Sequence, residues 1–386
     1  MDTMRAAVMR DRKLVVADVP VPQPGPGEVL VHTLACGICG SDLHALKFAD
    51  QFVATARRAG NPRVMDPGRD VIMGHEFCAE IVEHGPGTRK TLPVGGRVCS
   101  RPGLVRPDGP RTVGYSNDTP GGYAEYMRLT EALLLPVPGG LSTEHAALTE
   151  PMAVGVHAVA KAHLDPDDAP LVIGCGPVGL AVIAALRLAG ARPIVAADFS
   201  ARRRELAQTM GADVVVDPAQ VTPWQSWREA AVWRDATRAP ALPPWIPGPP
   251  LRPAVVFECV GVPGVLDQVM AAAPRGSRIV VVGVCMEADT IYPMLGITKE
   301  LNLQFVLGYT QDEFAATLHH IAEGAIPTVP LITGHVGIGG VAQAFEELGS
   351  PERHAKILVE PWRSSAGGRF SVDALDCSVA DRVRKA

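Results

Sequence analysis

The chain has 386 residues, more than one hydrophobic core usually serves, so we expect two domains. Hydrophobic residues make up 47% of it and charged residues 20%, which is typical of a globular protein and excludes a disordered or fibrous one. The net charge of -5 offers no basic surface for nucleic acid or an anionic membrane, so we expect neither partner. No apolar stretch predicts a signal peptide or a membrane span, and eight mostly scattered cysteines predict a reduced, cytoplasmic protein.

In chain order, the sequence first predicts a domain rich in β-strands. Up to about residue 150, short apolar runs are broken by Gly and Pro, which indicates an irregular, largely antiparallel structure. The pattern then alternates, with strands at 171–173, 194–197 and 214–216 and helices at 178–188 and 201–210. This alternation predicts an α/β, doubly wound parallel sheet with helices on both faces. We expect a first domain of residues 1–151 and 308–386 and a second of residues 152–307.

Residues 218–253 depart from this pattern because they hold nine prolines and four of the five tryptophans. The first half of the segment fits the crossover helix of the sheet. The second half, from Pro240 to Pro253, cannot be helical and is expected to form an extended surface excursion. Beyond Trp362 we expect a loosely docked or disordered tail.

Residue types that bind metals occur at three places in the first domain. The run Cys36-Gly37-Ile38-Cys39-Gly40-Ser41-Asp42-Leu43-His44 is followed by Gly74-His75-Glu76 and later by Glu150. Zinc favours thiolate, imidazole and carboxylate ligands, and a catalytic zinc site keeps one position open. Cys39, His75 and one of the two glutamates supply such a set. A Cys-x-x-Cys pair alone is more often a packed or redox pair, so the prediction depends on the combination.

The second domain carries a dinucleotide-binding loop. The run Gly174-Cys175-Gly176-Pro177-Val178-Gly179 lies between a predicted strand and a helix, as this motif requires. Gly174 permits the tight turn, Gly176 lets the backbone approach the pyrophosphate at the helix N-terminus, and Gly179 allows close packing. We assign Pro177 and Val178, which begin the helix, to the same site.

Asp198 ends the next predicted strand, nineteen positions after Gly179 (198 minus 179). A carboxylate there would accept hydrogen bonds from the adenosine ribose and repel a 2′-phosphate, so NAD is favoured over NADP. The three arginines 202–204 are counter-evidence, although they also fit the solvated face of a helix capped by Ser200. One of them, assigned to Arg203, would stack on adenine with either cofactor.

At these residues the sequence resembles the zinc-containing medium-chain alcohol dehydrogenases, and the resemblance extends to about Pro361. It implies a GroES-like, mainly β catalytic domain and a Rossmann domain. It also implies reversible hydride transfer between a secondary alcohol or polyol and NAD. Cys39 and His75 would bind the catalytic zinc ion. Glu150 would be the third ligand, and Glu76 would lie behind the ion or exchange with Glu150.

The resemblance implies further roles. Ser41 and His44 would form the relay that passes the alcohol proton towards water, and Asp42 would orient a ligand. Cys36 would not be a ligand. The pairs Val260-Gly261 and Gly283-Val284 resemble places where the cofactor lies along the backbone, although a glycine that simply ends a strand explains each equally well.

One departure concerns a second metal. Many relatives hold a structural zinc through four closely spaced cysteines in the region corresponding to 89–116, where this sequence has only Cys99. We therefore expect one catalytic zinc per subunit and no structural zinc. Relatives without these cysteines include polyol-oxidising members.

The substrate leaves fewer signals. Phe48, Phe52 and Met65, in the insert 45–71, either narrow the cleft or pack as a helix face, and packing is favoured slightly. Tyr115, Tyr123 and Met294 are undecided. A small-molecule substrate and a homodimer or homotetramer are expected by resemblance.

Two alternative functions remain open. A zinc-free reductase of enones or quinones from the same superfamily would lack Cys39 and His75. A non-catalytic nucleotide-binding relative would have no use for Ser41 and His44.

Overall fold

The computed structural model describes residues 2–235, 237–243, 247–350 and 352–363. Its strands are β1 (Thr3–Arg10), β2 (Lys13–Pro20), β3 (Glu28–Gly37), β4 (Glu76–His84), β5 (Arg97–Ser100), β6 (Gly103–Leu104), β7 (Arg111–Thr112), β8 (Tyr126–Thr130), β9 (Leu134–Pro136), β10 (Ala169–Ile173), β11 (Val195–Ala197), β12 (Val214–Val216), β13 (Ala254–Glu258), β14 (Arg278–Val281), β15 (Asn302–Phe305), β16 (Ile332–Val336) and β17 (Lys356–Val359). Its α-helices are α1 (Gly40–Lys47), α2 (Ala49–Arg58), α3 (Thr143–Ala147), α4 (Thr149–Lys161), α5 (Pro177–Leu188), α6 (Ala201–Met210), α7 (Pro223–Ala230), α8 (Val265–Ala272), α9 (Pro293–Lys299), α10 (Gln311–Ala322) and α11 (Val341–Leu348). Within these described ranges, no helix is both long enough and apolar enough to cross a bilayer.

The first domain is built on a mixed sheet in which most neighbouring strands are antiparallel. Its strands lie in the order β16-β17-β3-β4-β5-β9, and β8 pairs with the first half of β3. At the end of β3, Gly37 pairs with Glu76 of β4 on one side and with Leu358 of β17 on the other. Residues that follow β3, begin β4 and begin β17 therefore meet at one corner of this sheet.

The second domain is built on a parallel sheet with the strand order β12-β11-β10-β13-β14-β15. Its central strands β10 and β13 are mostly apolar and buried, as expected for parallel strands that are covered on both faces. The strand order reverses between them, so a crevice opens beyond their carboxyl ends, where doubly wound sheets bind ligands. This arrangement confirms the predicted α/β fold class and its Rossmann sheet.

The helices of the second domain follow the predicted pattern. Helix α6 spans the predicted residues, and the Ser200 hydroxyl caps it by accepting from the Arg203 backbone N–H at 3.1 Å. Helix α7 is the predicted crossover helix, anchored by Trp227, whose buried indole donates to the Ala169 carbonyl at 2.8 Å. In the described part of 240–253 there is no helix, as expected, whereas Trp245 and the tail beyond residue 363 lie outside the described residues.

The insert 45–71 forms the end of α1, helix α2 and a turn that packs on the first domain. Val53 and Met65 are buried in the core of that domain, and Phe52 packs against it. Phe52 and Met65 therefore pack as the favoured interpretation expected, whereas the Phe48 ring lies 6.4 Å from the ring of His44, a predicted relay residue.

Chain segments after the second domain return to the first one. Strands β16 and β17 join β3 in the mixed sheet, while the predicted division after residue 151 falls inside α4. The exact domain bounds stay a prediction.

Candidate active site and cofactor site

Three of the predicted metal ligands meet at the corner of the mixed sheet. Cys39 follows β3 and precedes α1, His75 precedes β4, and Glu76 is the first residue of β4. One ligand atom from each of these side chains lies within 4.8 Å of the other two. The set combines a thiolate, an imidazole and a carboxylate, which suits a zinc ion with an open fourth position.

Glu76 is held by a buried ion pair that the sequence analysis missed. The Nζ atom of Lys356 lies 2.8 and 2.7 Å from the two Glu76 carboxylate oxygens, and it also donates to the Ile38 carbonyl at 3.0 Å. Burial lowers the pKa of Lys356, but the charges of Glu76 and Cys39 outweigh it and the pKa is raised. A Cβ atom on Gly37 would lie 2.1 Å from the Glu76 carboxylate, so only glycine fits beside this pair.

Glu150 lies in the first turn of α4 and is also buried, but it is not in the group of three. It accepts a hydrogen bond from the Tyr309 hydroxyl at 2.9 Å. Burial raises the pKa of Glu150 to about 7, with the Glu76 charge adding and the His75 charge opposing. The geometry therefore favours Glu76 over Glu150 as the third ligand, contrary to our preference, and the choice stays a prediction.

Asp42 is fully buried below the group and is surrounded by donors. One oxygen accepts from the Tyr115 hydroxyl at 2.7 Å and lies 3.3 Å from His75 Nδ1. The other accepts from the Tyr123 hydroxyl at 2.6 Å and from the Cys39 backbone N–H at 3.2 Å. Burial raises the pKa of Asp42, but His75 and the two tyrosines outweigh it, so the pKa is lowered. Asp42 thus lies beside the His75 ring, and its role in orienting that ring stays a prediction.

The charge on His75 depends on the same neighbours. Burial lowers the pKa of His75, but the negative charges of Asp42 and Cys39 raise it well above its usual value.

Burial raises the pKa of Cys36 well above that of an exposed thiol, and its sulfur faces the Gly37 carbonyl at 3.6 Å. Cys36 is therefore a packed thiol beside the candidate site.

The two predicted relay residues, Ser41 and His44, have different neighbours. The Ser41 hydroxyl lies 3.1 Å from the Cys39 sulfur and 2.9 Å from the Tyr115 hydroxyl. His44 is half-buried, and burial lowers its pKa while a hydrogen bond with the Val284 backbone opposes that shift. Val284 is one of the predicted cofactor residues of the second domain, so His44 lies where the first domain meets the predicted cofactor site. The relay itself stays a prediction.

The dinucleotide-binding loop has the predicted geometry. Gly174 adopts a positive φ of 90°, and a Cβ atom on Gly179 would lie 1.9 Å from the Gly174 carbonyl oxygen, so helix α5 packs as closely as expected. Gly176 caps the N-terminus of α5, ahead of Pro177 and Val178. Among the described residues, a Cβ atom added to Gly176 would meet the Arg203 guanidinium, at 4.0 Å. The loop is thus open to a phosphate at the helix N-terminus.

Asp198 connects this loop to the end of β11. Its carboxylate accepts from the Cys175 and Ser200 backbone N–H groups, both at 2.8 Å, and lies 3.9 Å from Arg203. Asp198 is thus held at the edge of the loop by two backbone donors, and its contact with the ribose stays a prediction.

The remaining predicted cofactor residues lie at the ends of β13 and β14. Glu258, a buried carboxylate that the sequence analysis missed, accepts from the Val260 and Gly261 backbone N–H groups at 2.7 and 2.9 Å. Its backbone carbonyl accepts from Gly283 at 2.9 Å, which joins the two loops. Val260 and Val284 are 38% and 43% exposed, so both face open space along this edge.

Two other clusters bear on the number of metals. Cys99 lies in β5 opposite Cys78, and its sulfur donates to the Ala146 carbonyl at 3.2 Å. A second group of potential ligands comprises Glu144, His335 and Glu360, but Glu360 already pairs with His335 at 3.0 Å and with Arg363 at 2.8 Å. One metal per subunit stays a prediction.

Comparisons with known proteins agree with this geometry. The family model described as "Alcohol dehydrogenase GroES-like domain" matches residues 25–139, and the one described as "Zinc-binding dehydrogenase" matches residues 177–323. The (R,R)-butanediol dehydrogenase of Bacillus subtilis (strain 168) is 32% identical over 93% of this chain and 100% of its own length. Sorbitol dehydrogenase from the same strain is 28% identical over 93% of this chain and 98% of its own length.

Solved structures give the same result. The X-ray structure of 2R,3R-butanediol dehydrogenase from Bacillus subtilis superposes with a TM-score of 0.74 at 29% identity, over 93% of this chain and 99% of that chain. A Sinorhizobium meliloti 1021 structure described as a zinc-binding dehydrogenase, bound to NADP, gives 0.73 at 27% identity, over 94% and 100% of the chains. Neither of our two alternative functions is favoured by any of these matches. The chain therefore belongs to the zinc-containing medium-chain alcohol and polyol dehydrogenase family, whose members are oxidoreductases.

Proposed function

We propose that the chain is an NAD-dependent dehydrogenase of a secondary alcohol or polyol, with one catalytic zinc ion held by Cys39, His75 and Glu76. The observation that carries the proposal is the approach of these three side chains to within 4.8 Å of one another. A zinc ion bound by them would act as a Lewis acid that lowers the pKa of the reacting hydroxyl. Glu150, with a pKa near 7, remains the alternative carboxylate ligand.

The surrounding side chains keep this ligand set in one arrangement. Lys356 balances the charge of Glu76 in the absence of water, since its side chain is only 3% exposed and that of Glu76 is fully buried. Asp42 faces His75 Nδ1 at 3.3 Å, which leaves Nε2 of the ring for an ion. The ligands are therefore positioned before an ion binds, which lowers the cost of binding it.

The proton of the alcohol would leave through Ser41 and His44. Ser41 is adjacent to the ligand sulfur, and His44 lies at the Val284 backbone, near the face where the nicotinamide would lie. Burial lowers the pKa of His44, so its ring is neutral at pH 7 and has a lone pair to accept a proton.

NAD is preferred over NADP in this proposal. The Asp198 carboxylate lies at the edge of the loop and would repel a 2′-phosphate. The nearby arginines weigh the other way, and the Sinorhizobium meliloti structure is bound to NADP. Arg203, however, lies 3.9 Å from Asp198 and beside Gly176, so its charge is partly offset by the carboxylate.

We also infer that the protein is a homo-oligomer that associates through the edge of the parallel sheet. Strand β15 ends the sheet, and Phe305 and Leu307 in and after it are 62% and 88% exposed. Met294 and Ile297 of α9 add side chains that are 69% and 70% exposed. An edge strand flanked by an exposed apolar patch is the kind of surface that a second copy would cover. We keep the cytoplasm as the expected location.

The test combines zinc analysis with turnover. Purified protein is assayed with a panel of vicinal diols, polyols and simple secondary alcohols, following the nicotinamide absorbance with NAD and with NADP. We expect about one zinc per subunit and turnover of a diol or polyol, both lost in Cys39→Ala. Cys36→Ala is the matched control, since it removes a neighbouring thiol that we do not count as a ligand. Zinc-free protein that reduces an enone, or bound NAD without turnover, would contradict the proposal.

A further inference from the structure

We propose that Tyr115 is a positioning residue that fixes the direction of the Ser41 hydroxyl. The proposal rests on the function proposed above, in which Ser41 accepts the proton of the alcohol. It deepens that function, because it names the group that makes Ser41 an acceptor. The observation behind it is one hydrogen-bond chain, from Ser41 through Tyr115 to Asp42.

The direction of each bond follows from the number of protons available. The Tyr115 hydroxyl donates its single proton to Asp42 at 2.7 Å. In the 2.9 Å contact with Ser41, Tyr115 must therefore be the acceptor and Ser41 the donor. The Ser41 hydroxyl also donates to the Cys39 sulfur at 3.1 Å, so its single proton is shared between the tyrosine oxygen and the sulfur, and Tyr115 draws it away from the sulfur.

This direction matters for the role of Ser41. While its proton points at Tyr115, the lone pairs of its oxygen are available to an incoming hydroxyl. Without the tyrosine oxygen, the Ser41 proton turns to the Cys39 sulfur or to the substrate. If the proton turned to the sulfur, it would compete with the metal ion for the sulfur lone pairs. If it turned to the substrate, Ser41 would be a donor where the reaction requires an acceptor.

The Tyr115 ring is fixed from two sides. Its centroid lies 5.4 Å from that of Phe52 in α2 and 5.3 Å from that of His75. Phe52 itself packs on the core of the first domain. The insert 45–71 therefore reaches the active site indirectly, by holding the ring whose hydroxyl orients Ser41.

Tyr123 provides a matched control. It also donates to Asp42, at 2.6 Å, but to the other carboxylate oxygen, and its second polar contact is the Gly37 carbonyl at 3.4 Å. Tyr115→Phe and Tyr123→Phe each remove one hydroxyl from Asp42. Only the first removes an acceptor of Ser41.

The first experiment is a double-mutant cycle on kcat with Ser41→Ala. We expect Tyr115→Phe to lower kcat about tenfold, the effect of one hydrogen bond, and to have no further effect in the Ser41→Ala background. Tyr123→Phe should change kcat by the same factor in both backgrounds. An equal loss for Tyr115→Phe with and without Ser41 would overturn the proposal and leave the proposed function intact.

The second experiment needs no turnover. Cobalt is loaded in place of zinc, and the sulfur-to-cobalt charge-transfer band is recorded. A hydrogen bond to a thiolate stabilises its lone pairs and shifts this band to shorter wavelength. We expect Ser41→Ala to shift the band to longer wavelength and Tyr115→Phe to shift it to shorter wavelength. Equal shifts, or none in Tyr115→Phe, would overturn the proposal, and a wild-type protein that binds no cobalt would overturn it together with the proposed function.

Discussion

Replacing Lys356 by Met tests how the buried charge of Glu76 is balanced. The ammonium contacts both oxygens of Glu76 at 2.7 and 2.8 Å and one backbone carbonyl, that of Ile38, at 3.0 Å. Its side chain is 3% exposed and that of Glu76 is fully buried, so water cannot replace the lost partner. Met preserves most of the aliphatic stem and removes the charge.

The magnitude follows from the burial of the pair. Removing one partner of a buried ion pair leaves an uncompensated charge and costs about 3–5 kcal/mol of unfolding free energy. We expect this loss in metal-free Lys356→Met. The double variant with Glu76→Gln should lose less, because no charge remains unpaired. A zinc ion beside Glu76 would replace the missing cation, so zinc should stabilise Lys356→Met more than the wild type.

The assay is urea unfolding of EDTA-treated protein, followed by tryptophan fluorescence and repeated with zinc added. Arg10→Met is the control, because Arg10 pairs with Asp70 at the surface and both side chains are about half exposed. Loss of that pair should barely change the free energy of unfolding, because water replaces the lost partner at the surface. A similarly small loss in Lys356→Met, or equal stabilisation of variant and wild type by zinc, would refute this explanation of the site.

Three further predictions concern other parts of the chain. Asp198→Ala should weaken the binding of NAD roughly tenfold to a hundredfold, and that of NADP less, because it removes a charged acceptor of the ribose. Binding titrations with both nucleotides measure this. Equal losses for the two nucleotides would mean that Asp198 does not contact the ribose. Leu307→Asp should shift the sedimentation coefficient to that of a monomer, while Val94→Asp, at a residue 60% exposed on the other domain, should not. The His335–Glu360 hydrogen bond raises the pKa of His335 and lowers that of Glu360. The pair therefore stabilises the fold fully above about pH 4.5, where Glu360 is charged in the unfolded chain as well. This stabilisation is lost as the pH rises through the raised pKa of His335. His335→Gln should therefore cost about 1 kcal/mol at pH 5.5 and almost nothing at pH 8.5 in urea unfolding, and an equal cost at both would exclude the ion pair.

Local signals in the sequence predicted the parts of the structure that depend on local geometry. The loop 174–179 and the cap at Ser200 were predicted because close packing, a positive φ and a helix cap each require particular residue types. The grouping of Cys39 and His75 was also predicted, since their chemistry and order limit the alternatives. In these cases the residue type and its neighbours along the chain contain the information.

Other parts of the site depend on contacts between distant residues. Lys356 follows Glu76 by 280 positions, and only the register of β17 beside β3 brings them together. Tyr115 and Tyr123 lie in loops with no pattern, so their shared acceptor Asp42 could not be identified from the sequence. For the same reason, the choice between the two glutamates required coordinates, because either one satisfies the chemistry of zinc.

The measurement that tests the central claim most directly is X-ray absorption at the zinc edge of the purified protein. The arrangement of Cys39, His75 and Glu76 predicts one sulfur at about 2.3 Å and nitrogen or oxygen neighbours at about 2.0–2.2 Å. Cys39→Ala should abolish the zinc signal, because the ion is lost with its sulfur ligand. Two or more sulfur neighbours, or a zinc signal that survives in Cys39→Ala, would contradict the account.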